Sequence, residues 1–483
     1  MVESRLSAGH VHLIGCLGQG MQPLAQLYRS TGVRVTGCDS RVAERQGTAE
    51  AAELAIYGVC VTGHDPAHLG TDVDVVVHSV AVSVDHAELA DARRRGIPVL
   101  TRAAALAKLL PRIADRTVAV SGVTGKSTTT ALVAQLYRLL GQDPTLYLGC
   151  ALPDDTPRSM ADRAIGDIVG RDPIAVLEAC EYQRGMLRYD ADVATVTTSF
   201  WGEHTSTYPD AASLRDAFTQ FLSAAPRAVV PDGEGDLLAL PLRDRDRIIT
   251  FGASQRADLR LTELRHTEQG FHARYAHHGQ VIEARTRFSG RHNALNLAAA
   301  LASHLAAGTP LTALQALTTY DRLRTPCRRL QLVGRVGGTD LYDDYAHNPV
   351  QFVAALKVLR HRYSGPIGAY YLPGGFGRLH AFGDGYLRAL AQFDRVVLAP
   401  SRRGFEDSVS TPDESAFSER TVRRLRALRI PADIVPMDKL SLDIFDGCAA
   451  AGFFGAIRMN GILPGLLTSR EHIVEANPTA IPR

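Results

Sequence analysis

Long apolar runs are missing from this sequence. No stretch approaches the roughly 18 consecutive residues that a membrane span requires, and Met1 to Gly9 contains no hydrophobic signal core. An excess of one charge is missing as well: 53 Lys and Arg face 51 Asp and Glu, for a formal net charge of +2. That balance excludes a nucleic-acid or anionic-membrane binder acting through bulk electrostatics, so any bound anion needs a local site. Cysteine is sparse and odd in number. The seven thiols, Cys16, Cys38, Cys60, Cys150, Cys180, Cys327 and Cys448, contain no CxxC pair, which argues against a disulfide framework or a zinc knuckle and for reduced thiols in a cytoplasm. Repeats, low-complexity tracts and long linkers are absent too. What remains, 483 residues of which 45% are hydrophobic and 22% charged, suffices for a large core divided among two to four domains.

Short apolar runs separated by amphipathic stretches dominate the chain. His12-Leu13-Ile14, Val33 to Thr36, Val73 to Val77 and Ile97 to Leu100 predict parallel strands with crossover helices, a Rossmann-like domain over residues 1–114. Thr117 to Val120 opens a second domain, 115–325, with further buried strands at Ile174 to Leu177 and Val193 to Val196. Between Leu259 and Phe288 the alternation of apolar and polar residues predicts an antiparallel excursion, followed by an Ala-rich helix starting near Asn293. A third Rossmann-like domain, 326–483, follows, with strands at Asp340 to Asp343, Ile367 to Leu372 and Arg395 to Leu398. The expected class is α/β in three domains.

The strongest local signal is Ser121-Gly122-Val123-Thr124-Gly125-Lys126-Ser127-Thr128, between a strand and a helical run. Glycines let successive N–H groups and the helix N-terminus face a phosphate, Lys126 adds a point charge, and the Ser127 hydroxyl suits magnesium. This predicts a nucleoside triphosphate site in a P-loop ATPase-like central domain. Its first glycine lies four residues before the lysine rather than six.

That shorter GxxGK[ST] form resembles the Mur ligase superfamily, and further motifs follow in the family's order: Glu178 in Glu178-Ala179-Cys180-Glu181, His204, Asn293 and Asn296 in a helix start, then Arg329 and Asp344. Gly15-Cys16-Leu17-Gly18-Gln19-Gly20-Met21, Arg95 to Val99, Arg328-Arg329 and Asp343 to Pro349 resemble the branch that joins UDP-N-acetylmuramate to L-alanine. The resemblance covers nearly the whole chain. It implies an ATP-dependent ligase that phosphorylates a carboxylate and lets an amine displace the phosphate from the acyl phosphate. By the same resemblance Gly122, Thr124, Gly125, Lys126, Ser127, Thr128, Asn293, Asn296, Arg329 and Asp344 would bind ATP. Lys126, Glu178, His204 and Arg329 would be catalytic. Ser127, Glu178 and His204 would hold magnesium, or manganese given the nitrogen ligand. Gly15, Gly18, Gly20, Asp39 and Ser79 would bind the acid, and His347 and Arg378 the amine.

Several positions depart from the family pattern. Leu17 puts a bulky side chain where backbone would approach a diphosphate. The stretch before His204 carries Thr198 for Asn, Glu203 for Asp and one extra residue, Leu372-Pro373-Gly374-Gly375-Phe376-Gly377-Arg378 keeps an arginine but no histidine, and Met459 to Ile462 replaces a late Gly-rich turn. These changes keep two ligases in view, one acting on UDP-N-acetylmuramate and L-alanine and one diverged to join another acid and amine in a specialised pathway. A catalytically silent nucleotide-binding homologue is the alternative of another class. Gly15, Gly18, Gly20 and Asp39 alone would suit a dehydrogenase.

Overall fold

The computed structural model describes residues 9–44, 49–153, 170–232, 245–401 and 416–456. The motif from Met459 to Ile462 lies outside them. The chain forms two compact units, one of Met1–Phe200, Ala211–Phe288 and Asn293–Pro326, the other of Trp201–Asp210, Ser289–His292 and Cys327–Arg483.

The first unit contains two sheets. Strands β1 (His10–Ile14), β2 (Arg34–Cys38), β3 (Cys60–Thr62), β4 (Val75–His78) and β5 (Val99–Thr101) pair in parallel in the order β3-β2-β1-β4-β5. Chain order reverses between β1 and β4, and such a switch point leaves a crevice at the strands' carboxyl ends where ligands bind. The loop Gly15 to Gly20 leaves β1 there, and Ser79 follows β4. Every residue of β1 is buried, including His10 and His12, as a central parallel strand covered on both faces requires.

The larger sheet comprises β6 (Arg116–Ser121), β7 (Thr145–Tyr147), β8 (Ile174–Glu178), β9 (Val193–Val196), β10 (Arg227–Pro231), β11 (Ile248–Gly252), β12 (Leu259–His266), β13 (Phe271–His277) and β14 (Gln280–Thr286). Its order is β14-β13-β12-β11-β10-β9-β6-β8-β7. β12, β13 and β14 form the antiparallel excursion read from their alternation. The helix Arg291–Ala306 begins two residues before Asn293, so neither Asn293 nor Asn296 is its N-cap. The second unit's sheet, β15 (Gln331–Val336), β16 (Thr339–Asp344), β17 (Ile367–Tyr371), β18 (Arg395–Leu398), β19 (Ala432–Ile434) and β20 (Ala450–Phe454), runs β15-β16-β20-β17-β18-β19 and is parallel except for β15 with β16. Among the described residues no helix is long and apolar enough to cross a membrane.

Candidate active site

The glycine loop joins β6 to the helix Lys126–Leu139. Two positions demand glycine. Gly122 has φ +128°, and a Cβ there would lie 2.2 Å from Thr197 Oγ1 and 2.8 Å from the Thr197 nitrogen; Gly125 has φ +86°, and its Cβ would lie 2.4 Å from Asn296 Oδ1. The loop is clamped by the turn that follows β9. Val123 N–H donates to the Thr198 carbonyl at 3.0 Å and Thr124 N–H to Thr198 Oγ1 at 2.8 Å. Thr198, a departure from the family pattern, is thus the residue that fixes this loop. Asn296 Nδ2 donates to Asn293 Oδ1 at 3.2 Å, which places the two on one helix face beside Gly125.

Lys126 Nζ donates to the Gly122 carbonyl at 2.7 Å and lies 2.9 Å from Glu181 Oε2. Glu181 is buried. Burial opposes the ammonium, yet Glu181 and, further down, Glu178 hold Lys126 above the ordinary lysine range. Sequence reasoning passed over Glu181, although it stood in the quoted Glu178-Ala179-Cys180-Glu181; a second carboxylate three residues past a strand's end was the available signal. Glu178 ends β8, which lies beside β6, and Ala179 N–H donates to the Val120 carbonyl at 2.8 Å. Ser127 is the second residue of the helix and is buried. Ser127 and Glu178 thus offer oxygen donors of the kind magnesium takes, both next to the glycine loop.

The first sheet supplies a second loop in the same unit. Gly15, at φ +77°, would meet Ser79 Cβ at 3.1 Å with any side chain, and Gly18 N–H donates to the Gly15 carbonyl at 3.0 Å. Asp39 is turned inward: it accepts Leu17 N–H at 3.0 Å and pairs with Arg41 at 3.0 Å. Leu17 is 2% exposed, so its bulk is sunk in protein rather than displayed on the loop. Gly20 anchors the loop to the larger sheet, its carbonyl accepting Tyr147 Oη–H at 2.6 Å while Arg102 donates to the same Oη at 2.9 Å.

The second unit gathers His204, Arg329, Asp344, His347 and Arg378. Arg329 lies between two left-handed residues, Arg328 at φ +59° and Leu330 at φ +51°, and its guanidinium carbon is 5.0 Å from the Tyr345 ring centre. Backbone strain of this kind is concentrated at functional sites. Asp344 accepts Leu330 N–H at 2.7 Å and Ala346 N–H at 2.6 Å. It thereby holds the strained turn that carries Arg329. Burial pushes the Asp344 carboxyl up to about 6 against Arg329 and those two N–H groups. A raised carboxyl stabilises the fold while protonated: the contribution is full below its unfolded value of 3.8 and is lost as pH rises through about 6. The unfolding temperature of Asp344→Asn, measured against wild type, is therefore expected to gain between about pH 4 and about pH 7; a pH-independent difference would remove the assignment.

His204 itself has φ +52° and caps a tight turn, its carbonyl accepting Thr207 N–H at 2.8 Å and Tyr208 N–H at 2.9 Å. Its neighbour Glu203, another departure, is the centre of a buried cluster. Arg378 Nε donates to Glu203 Oε2, Asn348 Nδ2 donates to Oε1 at 2.8 Å, and His347 Nε2 lies 3.4 Å from Oε1. Burial opposes the Glu203 charge, but His347 and Arg378 hold the carboxyl below the usual carboxylate range. Burial, then Arg378, pushes His347 below the ordinary histidine value. His347 Nδ1–H donates to the Tyr345 carbonyl at 2.8 Å, which leaves Nε2 as the atom able to take up a proton.

A nucleotide-type glycine loop, a second glycine loop at a sheet switch point and a charged cluster in a third parallel sheet fit one known arrangement. Residues 10–113 match the family described as Mur ligase family, catalytic domain, 120–304 the Mur ligase middle domain, and 328–429 the Mur ligase glutamate ligase domain. A protein of Acidothermus cellulolyticus named UDP-N-acetylmuramate–L-alanine ligase is 36% identical over 81% of this chain and 80% of its own length. The chain belongs to the Mur ligase family. A protein of the same name from Chlorobium phaeobacteroides is 33% identical to this Mur ligase over 84% of its chain and 85% of the relative. The crystal structure of UDP-N-acetylmuramate-alanine ligase from Thermotoga maritima superposes with a TM-score of 0.76 at 22% identity, covering 95% of this Mur ligase and 98% of that chain. That likeness bears out the three-domain α/β fold. As a Mur ligase the protein is an ATP-dependent, amide-bond-forming enzyme.

Proposed function

We propose that this Mur ligase joins the carboxylate of UDP-N-acetylmuramate to the amino group of L-alanine, with ATP and magnesium. The loop built by Gly122, Gly125 and Lys126 carries the ATP-dependent half of this reading, and relatives 31–36% identical that bear this activity in their names carry the choice of acid and amine. The three domains take residues 1–114 for the acid, 115–325 for ATP and 326–483 for the amine.

The N–H groups at the start of the helix Lys126–Leu139 and Lys126 Nζ receive the triphosphate, in a loop shaped by Gly122 and Gly125, with Thr124, Ser127, Thr128, Asn293 and Asn296 lining the nucleotide site. Arg329 adds positive charge to the phosphates, and Asp344 keeps Arg329's turn in place. Ser127 and Glu178, with His204 as the family resemblance implies, would hold magnesium, which would supply neutralisation of phosphate charge; the nitrogen donor would also admit manganese. A carboxylate oxygen of the acid, held by Gly15, Gly18, Gly20 and Ser79 with Asp39 bracing their loop, attacks the γ-phosphorus and ADP leaves. The amine nitrogen then attacks the acyl carbon, inorganic phosphate departs, and the ammonium proton passes to His347 Nε2. Positioning and charge neutralisation supply most of the rate in such transfers.

Glu181 competes with ATP for Lys126. Replacing it with glutamine is expected to tighten ATP binding, measured calorimetrically without divalent cation, by about tenfold, which corresponds to ~1.4 kcal/mol. Weaker binding would show that Glu181 organises the loop instead. The reaction itself is tested by phosphate release with ATP and magnesium, adding UDP-N-acetylmuramate and L-alanine singly and together, with mass spectrometry of the product. Release that needs both, with an amide-linked product, supports the proposal. A chain that binds ATP yet forms no product belongs with the diverged ligases, and other carboxylates and amines become the substrates to test.

A further inference from the structure

One side-chain cluster in the first sheet takes no part in this chemistry. His12 on β1, Cys38 at the end of β2 and Glu88 in the helix Ala87–Arg94 are all buried. His12 Nε2 lies 3.0 Å from Glu88 Oε2, and Cys38 Sγ lies 3.0 Å from the same oxygen. The remaining polar atoms are already held: His12 Nδ1 lies 2.8 Å from Thr36 Oγ1, and Glu88 Oε1 accepts Asp65 N–H at 2.8 Å. A nitrogen, a sulfur and an oxygen from three elements therefore converge within 4.8 Å of one another with their orientations set by a second layer of hydrogen bonds. From the loop after β3, His64 Nδ1 reaches 3.1 Å from Cys38 Sγ and 3.7 Å from Glu88 Oε1.

We propose that His12, Cys38 and Glu88 form a structural zinc site, with His64, beside Cys38 and Glu88, placed to supply the fourth ligand on binding. Zinc bond lengths of about 2.0–2.3 Å imply tetrahedral edges of about 3.3–3.8 Å; His12 Nε2 and Cys38 Sγ each lie 3.0 Å from Glu88 Oε2, and the three donors all lie within 4.8 Å of one another, a spacing that brackets those edges. The mixture of imidazole, thiolate and carboxylate selects zinc over magnesium, which takes oxygen. Charge balances as well, since one thiolate and one carboxylate neutralise a divalent cation in a buried place. Binding expels the Cys38 thiol proton, while His12 contributes its Nε2 lone pair and keeps Nδ1–H on Thr36. The Cys38 carbonyl accepts Gly15 N–H at 2.8 Å and Cys16 N–H at 3.1 Å, so the metal pins the strand from which the Gly15 to Gly20 loop hangs. The donors lie up to 76 residues apart, which is why no compact motif announced them.

The full-length protein, purified without chelator and freed of loosely held ions, is expected to retain one zinc per chain. After exchange it should bind Co2+ with a near-ultraviolet thiolate-to-cobalt absorption. Cys38→Ser should remove that absorption and Cys180→Ser leave it unchanged. Thr36→Val, which takes away the partner that aims His12, should weaken Co2+ binding about 10–100-fold with the thiolate band kept, which provides an answer even where Cys38→Ser does not fold. A cobalt spectrum lacking the thiolate band in the wild-type chain, or a band that persists in folded Cys38→Ser, would overturn the site and leave a hydrogen-bonded network in its place.

Discussion

Turnover is expected to fall roughly 10³-fold or more when Lys126 becomes alanine, because the proposed mechanism then loses the positive charge it assigns to the transferring phosphoryl group, in a reaction class that works by charge neutralisation. Read alone, the variant is ambiguous. Glu181 is buried against Lys126 at 2.9 Å, and a buried carboxylate stripped of its partner destabilises a fold by about 3–5 kcal/mol. The informative protein is therefore Lys126→Ala combined with Glu181→Gln, which removes both charges together. Its unfolding temperature should lie near that of wild type while phosphate release stays abolished. Rates within tenfold of wild type in the folded double variant would remove Lys126 from the mechanism.

The second large effect concerns stability. Arg378→Ala leaves Glu203 as a buried charge with, among the described residues, Asn348 and His347 beside it, at an expected cost of about 3–5 kcal/mol, or roughly 6–20 °C in the unfolding temperature of the second unit. Glu203→Gln combined with Arg378→Gln should recover most of that loss, since neither partner then carries an unmatched charge. The pH dependence has a definite sign. A carboxyl depressed below its unfolded value of 4.5 adds stability that is complete above that value and is lost as pH falls through the lower folded one. Acid unfolding of wild type should therefore be steeper than that of Glu203→Gln. A change under about 1 kcal/mol in Arg378→Ala would show the pair to be solvated rather than buried.

This pair also shows how far the sequence could be read. Arg378, His347 and Glu203 were each visible as residues, the first two as amine-binding candidates and the third as a departure before His204. Their meeting was not visible, because Arg378 and Glu203 are 175 positions apart and no periodicity encodes a contact of that range. Thr198 is similar: as a letter it is a lost asparagine, and in three dimensions it is the acceptor that fixes Thr124. Leu17 looked like an obstruction in a ligand loop, and the fold buries it. The glycine loop was legible in full because its chemistry is local. A strand, two glycines, a lysine and a helix start are consecutive, and backbone geometry needs nothing from elsewhere.

By itself the sequence determined the α/β class, the parallel strands, the antiparallel excursion of β12 to β14 and the phosphate loop, since apolar periodicity and turn residues act over a few positions. Only the tertiary structure decided which buried groups meet: Lys126 with Glu181, Arg378 with Glu203, and His12 and Cys38 hydrogen-bonded to Glu88. Burying a charge is costly unless a partner is supplied, and that partner is chosen by how strands from distant parts of the chain are stacked, a matter settled after local propensity has done its work.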